Sequence, residues 1–136
     1  MISYKKVGVD INEIKKSQQA IGKIIASTHN YQKKAKMTHG FGHYAGIVEI
    51  PGGKLLATHT DGVGTKVMIA NKMKRYDTIG IDCIAMNVND IICIGATPIS
   101  FVDYIAANKN DQRIFKQIVK GLVSGCLLYT SPSPRD

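Results

Sequence analysis

The chain has 136 residues, an apolar fraction of 44% and a formal net charge of +8. This length suits one domain, and the apolar fraction is above that of disordered chains, so we expect one globular, soluble domain with a packed core. The apolar runs are too short to span a bilayer and the start lacks a signal-peptide pattern, which predicts a cytoplasmic protein without membrane association. The three cysteines form no CxxC pair and fit reduced thiols.

Basic residues are concentrated in the first third of the chain and again at positions 72–75. Such a surface attracts polyanions, either nucleic acids or nucleotide phosphates. The sequence has neither the aromatic-rich strand motif nor the zinc-finger spacing of nucleic-acid-binding proteins. We therefore expect no nucleic-acid partner, and a basic binding domain without enzymatic activity stays open as an alternative.

A first helix is predicted over residues 11–27. Asp10 and Glu13 form a capping box at its start, and an apolar stripe follows at Ile14, Ile21, Ile24 and Ile25. Residues 28–46 are polar, basic and interrupted by glycines, which predicts a long mobile loop.

Two patterns inside the loop 28–46 are weak signals. Gly40, Gly42 and Ala45 fit the dinucleotide pattern G-x-G-x-x-A, but that pattern must follow a strand and open a helix, whereas this run precedes a strand. His39 and His43 have no third ligand at a recognisable spacing. We expect neither a dinucleotide cofactor nor zinc.

A hairpin is predicted next, with strands at 47–50 and 54–60 around the turn residues Pro51, Gly52 and Gly53. A helix then covers residues 78–94, with Asp77 as its N-cap and Gly95 as the left-handed residue after its end. Its predicted buried face consists of Ile81, Ile84, Ala85, Val88, Ile91 and Ile92.

Residues 99–106 are predicted to form a strand, and a last helix starts near Asp111. The predicted buried face of this helix consists of Phe115, Ile118, Val119, Leu122 and Val123. The order helix, strand, strand, helix, strand, helix predicts an α/β fold of the two-layer α+β type, with a mixed sheet and helices on one face.

The loop at 61–66, with the sequence D-G-V-G-T-K, combines parts that bind phosphate. Gly62 and Gly64 let backbone amides approach a ligand, while Thr65 and Lys66 add a hydroxyl and a cation. The spacing is not that of a Walker A loop, and a loop of this kind alone could equally be a turn with a surface lysine.

Two carboxylates are candidate ligands for a hard divalent cation. Magnesium bound together with phosphates takes one or two protein carboxylates, which Asp61 and Asp90 could supply. Each could equally be a solvated or capping carboxylate. His59, which precedes the loop, is expected to be satisfied within the sheet.

Five separated motifs give the chain a family resemblance. They are H-T-D-G-V-G-T-K at 59–66, Y-D-T-I-G-I-D at 76–82, A-M-N-V-N-D at 85–90, G-A-T-P at 95–98 and F-V-D-Y at 101–104. In order and spacing they resemble the phosphoribosylformylglycinamidine cyclo-ligase (aminoimidazole ribonucleotide synthetase) family, over about residues 4–125. Another ATP-using member of the wider superfamily is the alternative, since its members share the acidic loop.

The resemblance implies ATP-dependent closure of formylglycinamidine ribonucleotide to aminoimidazole ribonucleotide in purine biosynthesis. ATP would phosphorylate the amide oxygen, and the ring nitrogen would then displace phosphate. On this basis Asp61 and Asp90 hold Mg²⁺, with Asp103 as a weaker third candidate. Gly62, Gly64 and Thr65 belong to the phosphate-binding loop, and Lys66 neutralises charge on the transferred group, so that Asp61 and Lys66 are the catalytic candidates.

The resemblance also implies domain organisation and assembly. Residues 1–125 correspond to an N-terminal domain for ATP binding and dimerisation, whose strands pair with a second subunit in a barrel, so we expect a homodimer. Residues 126–136 resemble a translated sequencing adapter and are interpreted as a non-native tail. The family's next signature and its second domain do not follow, and we expect this chain alone to be inactive.

Overall fold

A computed structural model describes residues 10–29, 35–38 and 42–130. The chain divides into two compact units, Met1–Thr58 and His59–Asp136. The elements are helices α1 (Ile11–Ala26), α2 (Lys66–Met73), α3 (Asp77–Cys93) and α4 (Gln112–Thr130), and strands β1 (Lys36–Met37), β2 (Gly46–Ile50) and β3 (Lys54–Thr58). The fold is therefore α+β, as predicted.

Helix α1 begins as its capping residue predicts. The carboxylate of Asp10 accepts from the backbone N–H groups of Asn12 at 3.0 Å and Glu13 at 3.4 Å, which satisfies donors that the helix leaves without a partner. The helix ends at Ala26, and the hydroxyl of Ser27 donates to the carbonyl of Ile24 at 2.7 Å. The predicted helix is confirmed, although its apolar stripe is exposed rather than buried.

The sheet of the first unit is antiparallel, with the strand order β1-β2-β3. Strands β2 and β3 form the predicted hairpin, in which Ile50 pairs with Lys54. Gly52 and Gly53 close the turn with φ values of 93° and 70°, which favour glycine. Strand β1 lies in the segment predicted to be a loop, while His39 and Gly40 of that segment lie outside the described residues.

The predicted mixed sheet is wrong for the described part of the chain, because the segment at 99–106 forms no strand there. The segment has the β-branched and aromatic composition of a strand, but its side chains Ile99, Val102 and Tyr104 are exposed. Composition favours a strand only where a neighbouring edge supplies hydrogen bonds, and the described residues of the second unit form no strand that could supply one.

Helix α3 begins and ends one residue before the predicted helix 78–94. Tyr76 occupies the N-cap position, and Asp77 is the first helical residue. The side chain of Asp77 instead accepts from the guanidinium of Arg75 at 2.9 Å, and this hydrogen bond holds the pKa of Asp77 below its usual value. At the other end Gly95 adopts φ 74° and Ala96 donates to the carbonyl of Ile91, which is the predicted glycine termination.

Helices α3 and α4 form the core of the second unit around Ile84, Val88 and Leu122. Their closest approach is between glycines. A Cβ atom on Gly121 would lie 3.0 Å from the Cα atom of Gly80, and one on Gly125 would lie 2.8 Å from the Cβ atom of Ile84. The two helices therefore meet backbone to backbone.

This glycine contact corrects the predicted buried faces. Of the residues predicted to be buried, Ile81, Ile92, Val119 and Val123 are exposed. Leu122 is buried as predicted, but glycines take the centre of the α4 face because bulkier residues would separate the helices.

Helix α4 continues past the predicted domain boundary at residue 125. Cys126 and Tyr129 pack against the core, and the hydroxyl of Tyr129 donates to the side chain of Asn89 at 2.9 Å. These contacts do not bear on the origin of residues 126–136, so the non-native tail stays a prediction. Within the described ranges, no helix combines the length and apolar character needed to cross a membrane.

Candidate functional site

The segment from His59 to Lys66 lies along helix α3 and runs antiparallel to it. His59 contacts Asp90 near the end of α3, and Lys66 contacts Asp82 in its first half. Residue numbers therefore rise along the segment while they fall along the adjoining helix. Between these two contacts, the main chain of Asp61 is bound by Asn87. The loop that the sequence singles out therefore lies on the polar side of one helix.

Asp61 is held through its backbone. Its N–H donates to Asn87 Oδ1 at 2.8 Å, and its carbonyl accepts from Asn87 Nδ2 at 3.0 Å. Its carboxylate accepts from the N–H of Gly62 at 2.7 Å. A carboxylate has about four acceptor sites, so this hydrogen bond leaves most of its capacity for a cation.

Asp90 lies on the same side of α3 as the anchor of Asp61. Residues 87 and 90 are three apart in a helix, and such residues are surface neighbours. The Nε2 atom of His59 lies 3.3 Å from Asp90 Oδ2, and the side chains of His59 and Asp90 are 13% and 31% exposed. The structure thus places Asp90 one helical turn from the residue that anchors Asp61, and it places His59 beside Asp90.

Helix α2 begins at Lys66, directly after the loop, and the sequence analysis did not predict it. Gly64 adopts φ 58°, a conformation that favours glycine, and Thr65 is the N-cap without a side-chain capping hydrogen bond. A helix N-terminus carries partial positive charge, so the loop leads into a start that favours an anion. Three consecutive apolar residues at 67–69 gave no helical period from which to predict α2.

Lys66 is engaged by an acidic partner. Its ammonium lies 3.1 Å from Asp82 Oδ1, and both side chains are more than a third exposed. An exposed ion pair of this kind contributes about 0–1 kcal/mol, so a phosphate group could draw the ammonium away at little cost. Asp82 is a contact that the sequence analysis did not assign to the site.

Asp103 lies between α3 and α4 in a segment without regular secondary structure, and its charge acts on Cys83. Burial raises the pKa of the Cys83 thiol, and the negative charges of Asp103 and Asp61 raise it further. Both carboxylates are therefore within electrostatic reach of this thiol on α3. In the ranges that the structure describes, no three His, Cys, Asp or Glu side chains form a metal-binding group, so a closed cluster of Asp61, Asp90 and Asp103 is not observed.

Alkylation of Cys83 gives a test of this placement. Asp103→Asn is expected to speed the reaction of Cys83 with iodoacetamide at about pH 8, because removing a nearby negative charge lowers the pKa of the thiol and raises its thiolate fraction. Peptide mass spectrometry over a time course measures the rate, and the exposed Cys93 is the internal control. Equal Cys83 rates in the two proteins would show that Asp103 does not face this thiol.

Asn87 is the most important residue that the sequence analysis left out of the site. Among the described residues it is the only polar one that is buried, and its amide contacts the loop directly. The sequence indicated this residue only by its spacing: Asn87 lies three residues before Asp90, so the two share one side of a helix. An asparagine in a helix interior has poor helix propensity, which also marks the position.

Comparison with known proteins assigns the chain to a family. Residues 42–132 match the family described as AIR synthase related protein, N-terminal domain. Relatives named phosphoribosylformylglycinamidine cyclo-ligase are 45% identical over 129 residues in Clostridium botulinum (strain Langeland) and 49% identical over 127 residues in Methanococcoides burtonii. These alignments cover 93% and 91% of this chain but only 38% and 36% of the relatives, so the chain spans less than two fifths of their length. The chain belongs to the AIR synthase related protein family and matches its N-terminal domain.

Proposed function

We propose that this chain supplies the ATP-phosphate and magnesium site of a phosphoribosylformylglycinamidine cyclo-ligase. The observation that carries the proposal is the placement of Asp61 and Asp90 on one side of α3, next to a glycine loop that leads into the start of α2. The names of the relatives and the family match support the same reaction class.

The donor set fits the cation. Magnesium prefers oxygen ligands and, when it is bound with phosphates, takes one or two carboxylates and keeps several waters. Asp61 and Asp90 would hold it, with Asp103 in the surrounding acidic field. Bound Mg·ATP would supply the phosphoryl group that turns the amide oxygen of formylglycinamidine ribonucleotide into a leaving group.

The chain's own residues would position and neutralise the phosphates. The amide of Gly64 and the hydroxyl of Thr65 would face them, and the amide of Gly62 would do so on release from the Asp61 carboxylate. Lys66 would exchange Asp82 for a phosphate oxygen. Asp61 and Lys66 are the residues to which we assign the catalytic contribution. We propose that turnover needs the additional length that the relatives possess.

Assembly and location belong to the same proposal. We propose that the enzyme is cytoplasmic, in agreement with the free thiols of Cys83 and Cys93. We also propose that it is a homodimer. The exposed apolar side chains Ile99, Val102 and Tyr104 support a second subunit, because a segment with exposed β-branched and aromatic side chains favours pairing with a strand.

Nucleotide titration tests the proposal. We expect ATP to bind the chain at least about tenfold more tightly with Mg²⁺ than with EDTA, a difference of about 1.4 kcal/mol, because the cation joins the carboxylates to the phosphates. Isothermal titration calorimetry gives both affinities, and AMP is the control without β- and γ-phosphates. Equal ATP affinity in both buffers would contradict the site, and binding of any polyanion with a steep salt dependence would favour the basic binding domain.

A further inference from the structure

We infer that Asn87 is a positioning residue, which fixes the main chain at Asp61 and thereby aims the Asp61 carboxylate at the bound cation. The hydrogen bonds between Asn87 and Asp61 are sufficient to support the fixing of the main chain. Its consequence for Mg·ATP rests on the proposed function.

Both N–H groups and the oxygen of the Asn87 amide contact main-chain groups. Its Oδ1 accepts from the N–H of Asp61 at 2.8 Å, and its Nδ2 donates to the carbonyl of Asp61 at 3.0 Å and to the carbonyl of Cys83 at 2.9 Å. Two donors and one acceptor thus meet two acceptors and one donor. The side chain pairs with the main chain of Asp61 as a neighbouring β-strand would, and it thereby links the loop to helix α3.

The orientation of this amide is determined by its surroundings. With oxygen and nitrogen exchanged, the amide oxygen would face the carbonyl oxygens of Asp61 and Cys83, and its N–H groups would face the N–H of Asp61. Asn87 is also buried, at 8% exposure, so water cannot replace a lost partner without opening the site. The pairing is therefore a fixed part of the second unit.

The side chain of Asn87 has no donor left for a ligand, so its contribution passes through Asp61. The backbone pairing leaves the Asp61 side chain outside the contact, where its carboxylate accepts from Gly62. The two hydrogen bonds to Asn87 fix the direction of the Cα–Cβ bond of Asp61, from which that carboxylate projects. No other residue type of this size supplies both donors and an acceptor, since aspartate lacks the donors and leucine lacks all three.

The variant Asn87→Leu tests the inference, because leucine has nearly the same shape but makes no hydrogen bonds. The matched control is Asn71→Leu, the same change at an exposed position of helix α2. Amide hydrogen exchange, measured by NMR on the full 136-residue chain, is the first readout. We expect the Asp61 amide to exchange at least about tenfold faster in Asn87→Leu and at an unchanged rate in Asn71→Leu.

The unmodified chain provides the measurement that does not depend on folding of the variant. In it the Asp61 amide should be protected although it lies in a loop, whereas the amide of Gly53 in the hairpin turn should exchange rapidly. An Asp61 amide that exchanges as fast as that of Gly53 would overturn the inference, as would unchanged Asp61 exchange in Asn87→Leu.

Mg·ATP affinity separates positioning from a purely structural role. We expect Asn87→Leu to weaken Mg·ATP binding by about tenfold, and to cause no further loss when Asp61→Asn is already present, since both changes act on one group. If the unmodified chain fails to bind Mg·ATP, the proposed function fails, and the exchange data still decide the role of Asn87. Additive losses, or an affinity in Asn87→Leu equal to that of the unmodified chain, would overturn the positioning role.

Discussion

Gly121→Ala is expected to lower the thermal unfolding midpoint by on the order of 10 °C, through a loss of about 2 kcal/mol or more. The added Cβ atom would lie 3.0 Å from the Cα atom of Gly80 and would also collide with the carbonyl oxygen of Asp77. Alanine improves helix propensity by about 1 kcal/mol, which opposes the loss. The collision dominates because both partners are backbone atoms that cannot rotate away.

Thermal unfolding followed by circular dichroism measures this effect. Ser124→Ala is the matched control, since it places alanine on the same helix at an exposed position. The control should stay within about 0.5 kcal/mol of the unmodified chain. A Gly121→Ala midpoint equal to that of the control would show that α3 and α4 do not approach as closely as the structure indicates.

Asp61→Asn is expected to weaken Mg·ATP binding by at least about tenfold, or 1.4 kcal/mol, while leaving the fold intact. The change preserves the main-chain pairing with Asn87, and an amide oxygen can still accept from Gly62. What is lost is the negative charge that a hard cation requires. Without Mg²⁺, the same change should leave ATP affinity equal or improve it, because a carboxylate repels the phosphates.

Calorimetric titration of ATP with Mg²⁺ and with EDTA measures both halves of this prediction. Glu49→Gln removes one negative charge from strand β2 by the same isosteric change, and it should leave both affinities unaltered. A parallel fall in both buffers would indicate that the loop has been disturbed, and an unchanged Mg·ATP affinity would remove Asp61 from the cation site.

The parts of the fold that the sequence predicted are those specified by local chemistry. Asp10 and Asp111 each accept from first-turn amides of the following helix, and Gly95 ends α3 in the left-handed conformation. The hairpin follows from the turn at Pro51, Gly52 and Gly53. Each of these features depends on residues within a few positions of one another, and a single sequence displays them directly.

The parts that were not predicted depend on partners distant in the sequence. Val119 and Val123 satisfy the apolar period of a buried helix face, but the contact belongs to Gly121 and Gly125, which carry no hydrophobic signal. The candidate site shows the same limit. The resemblance assigned Asp61 and Asp90 to one site, whereas the pairing of Asp61 with Asn87 became visible only in the structure.

The antiparallel course of the loop along α3 has a consequence for how the site assembles. Its three contacts are nested, because Lys66 to Asp82 lies inside Asp61 to Asn87, which lies inside His59 to Asp90. Once an inner contact has formed, the outer one has only a short remaining stretch of chain to close, so its loop-closure entropy is small. The site can therefore close from Lys66 outward, and the buried pairing of Asp61 with Asn87, rather than the exposed ion pair, should hold it closed.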